Sequence, residues 1–158
     1  MNFLDPKTLE IFGQLALATF LGALIGVERE LARKTAGMRT FALVALGSAL
    51  FTIISQFAFA SFVGTSFDPS RIASQVVVGI GFIGAGSIIF SQSRVRGLTT
   101  AAGLWVSAAI GMAVAYKMYA IAVFATLVTI FILVFLWFIE HKVLKNLGHP
   151  AAGPEDED

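Results

Sequence analysis

Cysteine is absent from all 158 residues, which excludes disulfides, zinc–thiolate sites and thiol chemistry. Charge is scarce as well. Only 13% of the chain is Asp, Glu, Lys or Arg, against about 25% in a typical soluble domain, while 57% is hydrophobic. Proline occurs at positions 6, 69, 150 and 154, and none of these interrupts a long apolar stretch. What is present is a series of charge-free stretches: 11–27, 40–67, 72–93, 97–116 and 118–139. A bilayer-spanning helix needs about 20 apolar residues, so each can cross, the first by borrowing a flanking residue or two. The expected fold is therefore an all-α integral membrane protein, a compact bundle of five transmembrane helices over roughly 9–27, 41–63, 72–91, 98–115 and 118–139. Residues 1–145 form that domain. Residues 146–158, rich in Pro, Gly and acids, read as a disordered acidic tail. The first stretch does not read as a signal peptide, because it lacks a basic n-region and runs into Glu28-Arg29-Glu30.

Basic residues set the expected orientation. Arg29, Arg33, Lys34 and Arg39 share the first connection, Arg94 and Arg96 the third, and Lys142 and Lys145 the C-terminal end. Lys7, Arg71 and Lys117 lie on the other side. Eight against three places the N-terminus outside and the C-terminus in the cytoplasm. Tyr116, Tyr119 and Trp137 fall near helix ends, where amphipathic rings favour the interface, whereas Trp105 falls mid-span.

The third stretch carries Gly79, Gly81, Gly84 and Gly86 in the run GIGFIGAGS. Each glycine weakens a helix by about 1 kcal/mol relative to alanine. Four together suggest close helix packing, a local break in the helix, or backbone exposed to a ligand. A dinucleotide-binding loop would need an acid about 20 residues on, and none occurs before Glu140. Small residues also recur at intervals of four: Gly22 and Gly26 in helix one, then Gly103, Ser107 and Gly111 in helix four. Such stripes let helices approach closely in lipid.

Three polar clusters stand out. In the first, Glu28 and Arg29 precede Glu30, which would reach Arg33 and Lys34 if the helix continues; Gly37 would then close it, leaving Arg39 at the mouth of helix two. A positive-inside anchor and a functional charged patch both fit. In the second, Asp68 and Pro69 read as a helix start, with Arg71 one turn on and Gln75 inside the bilayer. A buried amide needs partners, either on a neighbouring helix or in a polar cavity. In the third, Thr99 or Thr100 reads as the N-cap of helix four. His141 and His149 read as solvated surface residues. No nucleophile–base pair occurs at motif spacing and no carboxylate lies well inside a span, so no catalytic residue and no enzyme are expected. Acids only at the membrane edges also give poor support to a dedicated magnesium site.

At these residues the chain resembles the MgtC/SapB family of bacterial membrane proteins. The likeness is carried by GALIGVERELARKTAGMRT (22–40), LVALGSAL (43–50), the Asp68/Arg71/Gln75 set, GIGFIGAGSI (79–88) and GLTTAAGLWVSAAIGMA (97–113). It implies a multi-pass bacterial inner-membrane protein tied to magnesium limitation and, in pathogens, to virulence. It marks Glu28, Arg29, Arg39, Asp68, Arg71, Gln75, the four glycines of helix three, Thr99, Thr100 and Trp105 as matching positions. Many relatives continue into a cytoplasmic ACT-like domain, and ligand sensing by such a domain is not expected of this short C-terminus.

Two functions follow as expectations. One is a non-enzymatic regulator that docks through its small-residue stripes onto larger membrane complexes, such as the ATP synthase the resemblance suggests. The other is a small homodimeric transporter or channel for Mg²⁺, K⁺ or H⁺, motivated by the glycine-rich helix and Gln75. The lipid bilayer is the expected environment in both, with no cofactor and no nucleic acid; magnesium enters only through the family's association.

Overall fold

A computed structural model describes residues 5–57, 68, 70–91, 94–139 and 142. Helix α1 spans Pro6–Leu31, α2 Met38–Phe57, α3 Ser70–Gly86, α4 Leu98–Ala115 and α5 Tyr119–Phe131, the last continuing through a π-helical stretch at Ile132–Leu136. Four helices, including the continuous run Tyr119–Ile139, are long and apolar enough to cross a membrane. The expected ends of helix two beyond residue 57, Pro69, His141, His149 and the tail over 146–158 lie outside the described residues.

Helix α3 departs from expectation. It runs unbroken through its glycines but stops at Gly86, instead of reaching residue 91. At about 1.5 Å per residue its 17 residues cover roughly 25 Å, short of a ~30 Å hydrocarbon core. The chain then turns into an antiparallel hairpin, β1 Ile89–Ser91 with β2 Arg94–Arg96. Pairing the two strands satisfies backbone groups that a frayed helix end would leave bare at the membrane edge. The hairpin returns to α4 through Gly97, whose φ of +88° is left-handed and whose added Cβ would strike the Ser87 carbonyl. Gly97 is also the N-cap of α4, so Thr99 and Thr100 lie inside the first turn and neither is the cap.

A second correction concerns the end of α1. Arg33, at φ +57°, ends the helix well before Gly37. Its N–H donates to the Glu30 carbonyl at 3.0 Å, and the Lys34 N–H donates to the Arg29 carbonyl at 2.9 Å, the paired bonds of a Schellman stop. Lys117, at φ +62°, ends α4 in the same way. With the helix ended, Glu30 turns to the next element. Its carboxylate accepts from the Met38 N–H at 3.1 Å, at the start of α2.

The core forms around α2. Its buried stripe (Phe41, Ala45, Ser48, Ala49 and Thr52) lies between α1 and α4. A Cβ on Gly22 of α1 would come 2.6 Å from the Phe41 carbonyl, and one on Gly26 would meet the Met38 backbone. A Cβ on Gly111 of α4 would fall on the Ala45 carbonyl and the Ser48 hydroxyl, while Gly103 faces the Phe41 ring. The Ser107 hydroxyl completes the contact, donating to the Phe41 carbonyl at 3.0 Å. Both small-residue stripes are therefore occupied within the molecule. This removes them as the docking surface expected from sequence.

Gly22→Leu and Gly111→Leu should each destabilise the folded protein by at least about 1–3 kcal/mol, because backbone cannot yield to the added side chain. Arg33→Gly should stabilise it by about 1 kcal/mol, through relief of the left-handed conformation. Thermal unfolding in mild detergent measures all three.

Candidate functional site

The structure separates the residues singled out from sequence into three places. At the end of α1, Arg29 is 3% exposed. Its Nε pairs with one Glu28 oxygen and a terminal nitrogen donates to the other at 2.7 Å, a two-point contact between adjacent residues. A buried guanidinium held this way is fixed in place, and its charge also opposes the negative end of the α1 dipole.

The second place is a cleft of about 710 Å³ between α2 and α3, floored by Ala108 of α4. Arg39, Thr40, Leu43, Val44, Gly47, Ser48 and Phe51 line it from α2; Ile72, Gln75, Val76, Gly79, Ile80 and Ile83 line it from α3. It exists because α3 meets the core through few side chains. Among the described residues of that helix Ala73, Ile80 and Gly84 are buried, and a Cβ on Gly84 would rest 3.6 Å from Ala101 of α4. Arg39 and Gln75, far apart in sequence, thus border one space. Asp68 and Thr99 do not line it.

The third place is the rim. Asp68 is exposed, and its carbonyl accepts the Arg71 N–H at 3.2 Å as the turn into α3 begins. Arg71 is exposed too. Thr99 faces outward, whereas Thr100 is 1% exposed with its hydroxyl unpaired. Trp105 is half exposed, turned away from the buried Gly103/Ser107/Gly111 stripe. The glycines of α3 do not all share a face: Gly79, which borders the cleft, falls with Gly86, and Gly81 falls on the side of Gly84, which meets Ala101 of α4; nothing lies within 4 Å of a Cβ at Gly79, Gly81 or Gly86.

Sequence reasoning overlooked two amides. Gln14 is buried, and its Nε2 lies 3.2 Å from the carbonyls of both Val114 and Ala115. Gln56 donates to the Ala115 carbonyl at 3.3 Å. Both donate to the Ala115 carbonyl at the end of α4, and Gln14 also reaches that of Val114, which accepts the Lys117 N–H as well. The argument applied to Gln75, that an amide within a span must find a partner, would have found both. Beside them Lys117 Nζ lies 2.6 Å from the Glu10 carboxylate. That hydrogen bond, with the carboxylate's charge, raises the Lys117 ammonium above its ordinary 10.5. The raised value means the pair's contribution is intact below pH 10.5 and is lost as pH rises through the folded-state value. Among the described residues, no group of three or more His, Asp or Glu side chains could hold a metal ion.

Residues 15–142 match the MgtC family. The chain belongs to the MgtC family. It is 45% identical over 145 residues to an Escherichia coli K12 protein named "Putative magnesium transporter YhiD", covering 90% of this chain and 67% of that one. It is 48% identical over 115 residues to Protein MgtC of Salmonella typhimurium, covering 72% of this chain and 47% of the relative. Protein MgtC of Brucella abortus is 50% identical over 98 residues, covering 62% of this chain and 39% of its own length. The chain thus spans less than half of either MgtC protein. No solved structure matches. As a family member with four apolar spanning helices, this is a multi-pass membrane protein, and the relatives carry transporter-like or MgtC names, not enzyme names.

Arg29→Met should destabilise the bundle by about 3–5 kcal/mol, the cost of stranding the Glu28 carboxylate. Gln14→Leu should cost about 1 kcal/mol. Detergent unfolding midpoints, set against the exposed substitution Arg71→Gln, check both.

Proposed function

We propose that this chain is a non-enzymatic protein of the bacterial inner membrane that serves magnesium or ion homeostasis and stress adaptation by docking onto other membrane complexes, such as ATP synthase or ion transporters, and regulating them. The observation that carries this reading is the outward face of α3. Ser74, Val78, Gly81 and Ala85 form that face at helical spacing, all but Val78 small, and Phe82, 79% exposed, stands at its edge. A partner's transmembrane helix could pack closely against it, as small-residue faces allow in lipid. The small-residue stripes of α1 and α4 are already occupied, which leaves α3 as the open glycine face. In this reading the arginine-rich first connection faces the cytoplasm.

A second reading is a homodimeric transporter. The cleft with Arg39 and Gln75 on its walls favours it, as does the transporter name of the Escherichia coli relative. A second copy facing α3 would enclose that space. The buried hydroxyls of Ser48, Thr52, Ser107, Thr126 and Thr129 bond to backbone carbonyls and form no polar route within one chain.

Affinity purification from native membranes in mild detergent should recover a stoichiometric membrane partner, and Gly81→Leu should reduce that recovery at least tenfold. Repeated isolation of the chain alone would refute docking. Liposomes carrying the purified protein should then be silent for Mg²⁺, K⁺ and H⁺; a flux abolished by Gln75→Leu would favour the second reading.

A further inference from the structure

Gly47 on α2 and Gly79 on α3 border the same cleft, and a Cβ at either position would meet no atom within 4 Å. Gly22, Gly26 and Gly111 let backbones touch; Gly47 and Gly79, like Gly13, Gly81 and Gly86, leave room, and these two face one another's helix across the cleft. Each weakens its helix relative to alanine without gaining a packing contact. The space they leave, about 710 Å³, lies in the range of small-ligand sites. Leu43, Phe51, Ile80 and Ile83 are among its walls, and among the described residues its one charge is Arg39, in the first turn of α2. Among the described residues Arg39 has no hydrogen-bond or ion-pair partner, whereas the neighbouring Arg29 is fully engaged with Glu28.

We propose that this cleft binds one anionic phospholipid, with the phosphate on the Arg39 guanidinium and an acyl chain lying in the Gly47–Gly79 gap. The two halves of the site call for the two halves of that molecule. A free anion would leave the apolar walls uncovered, and a neutral hydrocarbon would make no use of the exposed Arg39 guanidinium at the cleft mouth, which a phosphate can pair. Arg39 sits at the bundle end shared with Arg29, Arg33, Lys34 and Arg96, the depth of the cytoplasmic headgroups under the expected orientation. Gln75 lies nearer the opposite end of α3 and takes no part in headgroup binding. The site shares its cleft with the transporter reading, but bound lipid is detected by mass and not by partner recovery or flux, so the failure of one is distinguishable from the failure of the other.

The test uses the full chain in nanodiscs of equal phosphatidylcholine and phosphatidylglycerol, extracted gently and weighed by native mass spectrometry. One phosphatidylglycerol should be retained per protomer in excess over phosphatidylcholine. Arg39→Gln should lower that excess about fivefold. Gly47→Leu and Gly79→Leu should abolish retention of either lipid while leaving the unfolding midpoint unchanged, and Gln75→Leu and Arg71→Gln should leave retention as it was. Excess inorganic phosphate should not displace the lipid. Equal retention of the two lipids, an undiminished preference in Arg39→Gln, or displacement by phosphate alone would overturn the proposal. Should a leucine variant fail to fold, Arg39→Gln decides.

Discussion

The approach of two backbones to one face of α2 is the constraint on which the rest depends. Gly22 brings α1 against the Phe41–Ala45 stretch and Gly26 brings it against Met38, while Gly103 and Gly111 bring α4 against Phe41 and Ala45. In lipid there is no hydrophobic gain from joining apolar helices, so close van der Waals contact and hydrogen bonds must supply the association. Ser107 adds a hydrogen bond at the tightest place, where the Phe41 carbonyl is enclosed on both sides. Gln14 and Gln56 tie down the far end of α4, so the three helices are fixed at both ends.

This arrangement determines where α3 can go. The buried stripe of α2 is used by α1 and α4, and α3 packs on α4 at Gly84 and Ala101 while also touching α2. Helix α2 presents Arg39, Leu43, Gly47 and Phe51 toward the resulting space, and α3 presents Gln75 and Gly79. The cleft is thus a consequence of the core. Being short, α3 also hands the chain to a hairpin at the membrane edge, which a full-length span would not have done.

Much of this was legible in the sequence. Charge-free length located the helices, because the cost of charge in hydrocarbon is large and local. The Gly22/Gly26 and Gly103/Ser107/Gly111 spacings correctly signalled close packing, yet spacing cannot say which helix is approached, and the partner proved to be α2 within the same chain. The end of α3 was missed because Ile88, Ile89 and Phe90 are as apolar as the helix before them; what distinguishes them is backbone pairing with Arg94–Arg96, a contact no local pattern reports. The stop at Arg33 was missed for a related reason. Left-handed φ is ordinarily assigned to glycine, and Gly37 stood close by. Arg39 and Gln75 were both singled out, but only the antiparallel run of α2 and α3 brings them to one cleft.

The central claim is that α3 packs closely on α4 at Gly84 while a cleft separates it from α2 at Gly47 and Gly79. Because the chain has no cysteine of its own, paired cysteines report this directly in native membranes. The positions Gly84 and Ala101 are 3.6 Å apart at the β-carbons, within the ~3.5–4.5 Å a disulfide needs. The account predicts that Gly84→Cys with Ala101→Cys oxidises rapidly to an intramolecular bridge, while Gly47→Cys with Gly79→Cys bridges far more slowly. The reverse ranking would contradict it, since α3 would then lie closed against α2 with no cleft between them.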